Sequence, residues 1–140
     1  MSGTPTTDRT GMTVLSIDEC LRLLTTHLPR IGRVGFVADG KPVILPVNYV
    51  FYEGSVIFRT DAGAKLTAAA GGEYVAFEVD EVDITWSEGW SIVVQGRAEE
   101  VLDPSELQRL EQLPLRPWDP SSKPAFVRIM STAISGRRID

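Results

Sequence analysis

Two short turns constrain this chain more than any other feature. Asp39-Gly40-Lys41-Pro42 and Glu53-Gly54 interrupt a stretch rich in β-formers, and turn residues of this kind favour tight reversals between neighbouring strands. The runs they separate are Gly32 to Ala38, Val43 to Tyr52 and Ser55 to Thr60. Together they predict an antiparallel meander. The middle run is almost continuously apolar, broken only by Pro46 and Asn48. Further strands are predicted over Tyr74 to Val82, with Val75, Phe77 and Val79 on one face, and over Gly89 to Val101. Phe126 to Met130 and a segment near Ile134 read as two closing strands.

Helix signals flank these runs. Ser16 and Glu19 have capping-box spacing, which satisfies amide donors that a helix start leaves unpaired. Ile17, Cys20, Leu21, Leu24 and Leu28 then recur at helical spacing until Pro29. Asp103-Pro104-Ser105-Glu106 predicts a second helix that runs to about Leu113. Ala64 to Ala70 reads as a small Ala-rich helix ended by Gly71-Gly72, and Leu115 to Pro124 as a proline loop. Residues 1–13 read as a flexible tail ahead of a single domain over 14–140. Six or so short strands with two flanking helices predict an α+β, mainly β protein built on an antiparallel barrel, because closure removes exposed strand edges.

Composition narrows the function. Nineteen acids against 14 bases leave a formal charge of −5, which disfavours a nucleic-acid binder because phosphate neutralisation needs a basic face. A local basic pocket for one small anion remains compatible with it. One cysteine, Cys20, and one histidine, His27, exclude a disulfide framework and any multi-thiolate or multi-histidine metal site. Cys20 falls on the apolar helix face and reads as core. No apolar run approaches the roughly 20 residues that span a bilayer, and the first residues have no apolar signal region. The expectation is a cytoplasmic protein with no membrane partner.

Three segments could carry chemistry. In Phe58-Arg59-Thr60-Asp61-Ala62-Gly63-Ala64-Lys65 a strand ends, a glycine loop follows and a helix begins. Arg59, Thr60 and Lys65 could hold a phosphate monoester there; a solvated arginine and lysine beside a turn explains the spacing equally well. Asn48 interrupts an apolar strand, so its amide either bonds neighbouring backbone at a bulge set by Pro46 or faces a heterocycle. Trp90 and Ser91 could stack on and bond a ligand, although tryptophans more often pack. Trp118 has the same ambiguity. The acids Glu78, Asp80, Glu81, Asp83 and Glu88 read as a solvated face before a metal site, and Arg137 and Arg138 as solvated too.

These segments occur in an order that resembles a known family. Gly32-Arg33-Val34-Gly35-Phe36, Pro46-Val47-Asn48-Tyr49, Phe58-Arg59-Thr60 with Gly63 and Lys65, and Gly89-Trp90-Ser91 with Gly96-Arg97-Ala98 resemble the pyridoxamine 5′-phosphate oxidase-like flavin-binding split barrels. The small bacterial members related to nitroimidazole-resistance proteins are the nearest variety. The resemblance covers about Leu15 to Ile139. It implies a six-stranded antiparallel split β-barrel with flanking short helices, forming a homodimer that binds FMN between its subunits. It places Val47 and Asn48 along the isoalloxazine ring and Arg59, Thr60 and Lys65, with Gly63, at the ribityl phosphate. Ser91 falls at a polar flavin contact and Trp90 at the border of the cleft. A deazaflavin is the alternative cofactor; haem is disfavoured by the lone His27. The implied activity is electron transfer between a reduced nicotinamide and a small acceptor, with a non-catalytic flavin carrier or sensor as the alternative. Val43-Ile44-Leu45-Pro46 stands where the vitamin oxidase itself has a basic strand, which argues against pyridoxamine phosphate as substrate.

Overall fold

A computed structural model describes residues 6–61, 66, 70–115 and 125–139. In chain order the elements are β1 (Thr6–Thr7), β2 (Thr13–Val14), α1 (Ile17–Thr26), β3 (Ile31–Ala38), β4 (Lys41–Tyr52), β5 (Ser55–Thr60), β6 (Gly71–Asp83), β7 (Glu88–Glu100), α2 (Pro104–Leu110) and β8 (Ala125–Ile139). All pairings are antiparallel. The order β8-β5-β4-β3-β6-β7 closes on itself through a β7–β8 ladder, giving a ring of six strands. This is the predicted mainly β split barrel with short helices.

Both two-residue turns sit where the sequence puts them. Asp39 and Gly40 have φ of 53° and 73°, and Glu53 and Gly54 have 50° and 78°. Two successive positive φ values match the right-handed twist of the strands they join. Lys41 and Pro42, read as turn residues, instead open β4.

Strand alternation divides the apolar residues between two cores. Val34, Val47, Tyr49, Val56, Phe58, Phe77, Val79, Ile92, Val94, Val127 and Ile129 fill the barrel. Val50, Ile57 and Phe126 point outward from β4, β5 and β8 and are covered by Leu110 of α2 with Val101 and Leu115. Helix α1 closes one end of the barrel. Ser16 caps it, accepting from the Glu19 amide at 3.2 Å, and Cys20 and Leu24 are buried. Ile17 and Leu28, expected on the same face, are exposed, so the buried stripe is narrower than the spacing suggests. Tyr49 is fully buried and donates its hydroxyl to the Leu24 carbonyl at 3.0 Å. Burial pushes that phenol up to about 12.

Several boundaries differ from the sequence reading. Thr6–Thr7 pairs with Thr13–Val14, and β2 pairs with Arg137 and Arg138 of β8, within the segment read as a tail. Gly71-Gly72, read as ending a helix, opens β6, where a register shift lies between Gly71 and Tyr74 and Gly72 takes φ 100°. Helix α2 stops at Leu110 rather than Leu113, because Pro114 disfavours helical backbone at Leu113. The two closing strands are one 15-residue strand. The Ala64–Ala70 helix lies mostly outside the described residues, although the Ala70 amide donates to the Leu66 carbonyl at 3.0 Å. The proline loop, with Trp118, lies outside them too.

Candidate functional site

The β4–β5 ladder begins at the turn and ends at the pair Tyr49–Phe58. Asn48 and Arg59 follow that pair directly, one on each strand. Tyr49 and Phe58 are fully buried in the barrel, so alternation turns Asn48 and Arg59 to the outer face. Both are half-buried. The Arg59 guanidinium lies over the Phe126 ring, 4.8 Å from its centroid. A planar cation stacked on an aromatic face is held in orientation. Phe126 was not singled out in the sequence. Its signal there, an aromatic opening a closing strand, points to core alone.

Asn48 pairs with Ile31 on β3. No bulge at Pro46 supports it: Pro46 pairs in regular register with Arg33. Continuing the β3–β6 register two residues past Arg33–Glu78 brings Ile31 level with Asp80, and Asp80 pairs with Ser91 on β7. Arg59, Asn48, Ile31, Asp80 and Ser91 therefore form one row across the outer face. Three strand spacings of about 4.8 Å separate Asn48 from Ser91, roughly 14 Å around the barrel.

The remaining predicted residues are placed differently. Val47 and Thr60 alternate to the barrel side, with Val47 buried and Thr60 half-buried at the end of β5, paired with Ala125. Trp90 shares the inward parity of Ile92 and Val94. Its ring meets His27 edge-on, centroids 4.9 Å apart at 87°, and His27 Nδ1 lies 3.5 Å from Glu81 Oε2. Trp90 thus closes the α1 end of the barrel, on the opposite face of β7 from Ser91. Gly63 and Lys65 lie outside the described residues. Arg137 and Arg138, read as solvated, face Asp8 at 3.1 Å and Glu19 at 3.3 Å.

The acid-rich face is more specific than its sequence suggests. Arg33 Nη1 lies 3.2 Å from Glu78 Oε1 and 3.6 Å from Asp80 Oδ2. Partial burial and the neighbouring Asp80 carboxyl push Glu78 up to about 7, against the pull of Arg33. These three residues stand at one end of a groove of about 360 Å³ that Gly35, Ile44 and Ala76 also line. Gly35, Ile44 and Ala76 are shared with a shallower groove of about 570 Å³ reaching Tyr74 and Thr132. Val37, Ile44 and Tyr74 are 64%, 71% and 58% exposed on this face, so it is both apolar and open.

Known proteins resemble this chain in sequence and fold. A profile of the pyridoxamine 5′-phosphate oxidase family matches residues 16–138. An uncharacterised protein of Mycobacterium tuberculosis is 39% identical over 132 residues, covering 89% of this chain and 84% of its own. The solved FAD-binding protein from Mycobacterium smegmatis is 36% identical with a TM-score of 0.75, covering 90% of this chain and 96% of its own. A solved FAD-binding protein from Mesorhizobium loti is 27% identical with a TM-score of 0.74, covering 92% and 99%.

Proposed function

Because the chain belongs to the pyridoxamine 5′-phosphate oxidase family, we propose that it is a flavin-dependent oxidoreductase whose flavin lies along the outer-face row. The observation that carries the reading is the placement of Asn48 beside Arg59 at the open end of the β4–β5 ladder. The donor set fits a flavin. The Arg59 guanidinium, oriented by Phe126, suits a phosphate. The Asn48 amide both donates and accepts, which suits the alternating polar edge of the ring. Ser91 offers a hydroxyl on the same face. The resemblance assigns Thr60, Gly63 and Lys65 to the phosphate end as well, with Thr60 at the end of β5. Val47 and Trp90 act from the barrel side, fixing the backbone on which Asn48 and Ser91 stand.

When bound, the flavin supplies electron transfer between a reduced nicotinamide and a small acceptor. The chain's own residues bind and orient it. The ribityl phosphate assigned to Arg59 is common to FMN and FAD; FMN is the smaller occupant, and the FAD-binding relatives favour FAD equally. The row borders an open groove with exposed apolar residues, and Asn48 and Ser91 are too far apart for one side chain to bridge. A second copy of the chain covering this face completes the cleft, so the functional unit is a homodimer.

Arg59→Ala and Lys65→Ala test the phosphate site. Each removes a charge-assisted contact, so FMN affinity measured by fluorescence quenching should fall about tenfold or more. Unchanged affinity in both variants contradicts the site.

A further inference from the structure

A small polar cavity lies at the opposite end of β5 from Arg59. It has a volume of about 70 Å³ and sits between the β4–β5 turn, β8 and α2. Ser55 pairs with Tyr52 on β4 and Met130 on β8, and Ile57 pairs with Arg128. Alternation turns Tyr52, Ser55 and Arg128 outward beneath α2. Glu106 and Arg109 are three residues apart on α2 and come down on them from one helix face. Ser55 is the buried polar residue among those described, 8% exposed. Its hydroxyl lines the cavity and has no hydrogen-bond partner among the described residues. A buried hydroxyl left alone is destabilising, so the cavity is built for a polar occupant. Arg128 gives Nε and Nη2 to Glu99 and Nη2 to Glu106, which leaves Nη1 to the cavity. Arg109 interacts with Asp103 through its charge and forms no ion pair among the described residues.

We propose that this cavity binds inorganic phosphate in a form that keeps a proton. The volume sets the size: at roughly 10–15 Å³ for each water, the space admits a few waters or one five-atom oxyanion, and no attached ring. The donors set the charge. Arg109, Nη1 of Arg128 and the hydroxyls of Ser55 and Tyr52 converge on one point from α2, β8, β5 and β4, which suits the oxygens of a tetrahedral anion. The carboxylates set the protonation state. Glu106 on α2 and Glu53 at the turn also line the cavity. An ionised carboxylate only accepts, so it repels a bare oxyanion and bonds one that carries an O–H. Inorganic phosphate carries an O–H near neutral pH, whereas sulfate has none and a phosphate monoester loses its last proton near pH 6. The cavity therefore selects inorganic phosphate over sulfate and over the ester phosphate of FMN. A bound phosphate satisfies Ser55 and ties α2 to the β4–β5 turn. None of this rests on the flavin reading.

The test is phosphorus NMR of the full chain titrated with inorganic phosphate near neutral pH, with sulfate and FMN as competitors. The expected result is a saturable change in the phosphate line that equal concentrations of sulfate or FMN do not reverse. Arg109→Gln weakens phosphate binding about tenfold or more, and Ser55→Ala about fivefold. Arg59→Ala leaves it unchanged, because that residue stands at the other end of β5. Replacing both acids, Glu53→Gln with Glu106→Gln, lets sulfate compete. Circular dichroism checks that each variant keeps the fold of the parent; if the double variant unfolds, the preference of the parent for phosphate over sulfate decides. The proposal is overturned if the parent shows no saturable phosphate binding, which leaves water as the occupant. It is equally overturned if sulfate displaces phosphate from the parent on equal terms. Displacement by FMN, or loss of binding in Arg59→Ala but not in Arg109→Gln, places the anion at the flavin site and overturns it too.

Discussion

Gly32 and Gly35 lie three residues apart on β3 and answer to different demands. A methyl on Gly32 would run into the Phe77 ring and come within 2.9 Å of the Glu78 carbonyl oxygen. Phe77 is fully buried, so the ring has no free volume to yield into. A methyl on Gly35 meets only ordinary contact. Gly32→Ala should therefore destabilise the protein by about 1–3 kcal/mol in urea unfolding, while Gly35→Ala leaves it within about 0.5 kcal/mol of the parent. Equal effects would show that the barrel tolerates crowding at Gly32. Glu78 makes a second residue-scale prediction. Its carboxyl binds a proton more tightly in the folded chain than in the unfolded one, so its stabilising contribution is complete below about 4.5. It is lost as pH rises through about 7. Stability of the parent should decline over that window, and Glu78→Gln should flatten the decline. An identical pH profile in the variant would assign the decline to other groups.

The elements show which local rules prevail. Ser16 satisfies the Glu19 amide at the start of α1, so Ser16→Ala should cost about 1 kcal/mol by thermal or urea unfolding, with no effect on flavin binding. A loss of flavin with unchanged stability would contradict a purely capping role. The two tight turns, the caps at Ser16 and Asp103, and the β5 boundaries were legible because each depends on residues adjacent in sequence. The final strand was not. Ser131-Thr132-Ala133 looks like a break, yet Gln95 pairs with Ala133 and Gly96 with Ser131, leaving Thr132 as the extra residue of a bulge. Its hydroxyl donates to the Gln95 carbonyl at 3.1 Å. The bulge bends β8, so that Val127 to Met130 pairs with both β5 and β7 while the later part continues along β7 to β2. Gly71-Gly72 shows the same limit: the positive φ of Gly72 suits both a helix end and the start of a bulged strand. Only the partner strand decides between them. The candidate site divides likewise. Arg59 and Asn48 could be named from sequence, but their adjacency follows from the β4–β5 register, and the stacking of Arg59 on Phe126 from a ladder about 70 residues long in sequence separation. Glu78 was read as one acid in a solvated face, because its proximity to Arg33 needs the β3–β6 pairing.

At the scale of the molecule, ring closure leaves the barrel with one face that no described element covers. Helix α2 covers the outer face of β4, β5 and β8, and α1 closes one end. The outer face of β3 and β6 keeps Val37, Ile44 and Tyr74 exposed. No described helix is long and apolar enough to cross a membrane, so this face is not explained by a helical span. The flavin and the second copy of the chain proposed above are the occupants that the functional reading assigns to it. The most direct measurement is the visible absorbance spectrum of freshly purified protein, with mass analysis of whatever heat releases. The predicted result is a yellow protein that yields FMN or FAD and is bleached by a reduced nicotinamide. A yellow protein that no nicotinamide reduces would assign it to flavin carriage. A colourless protein that takes up neither added FMN nor added FAD would contradict the account.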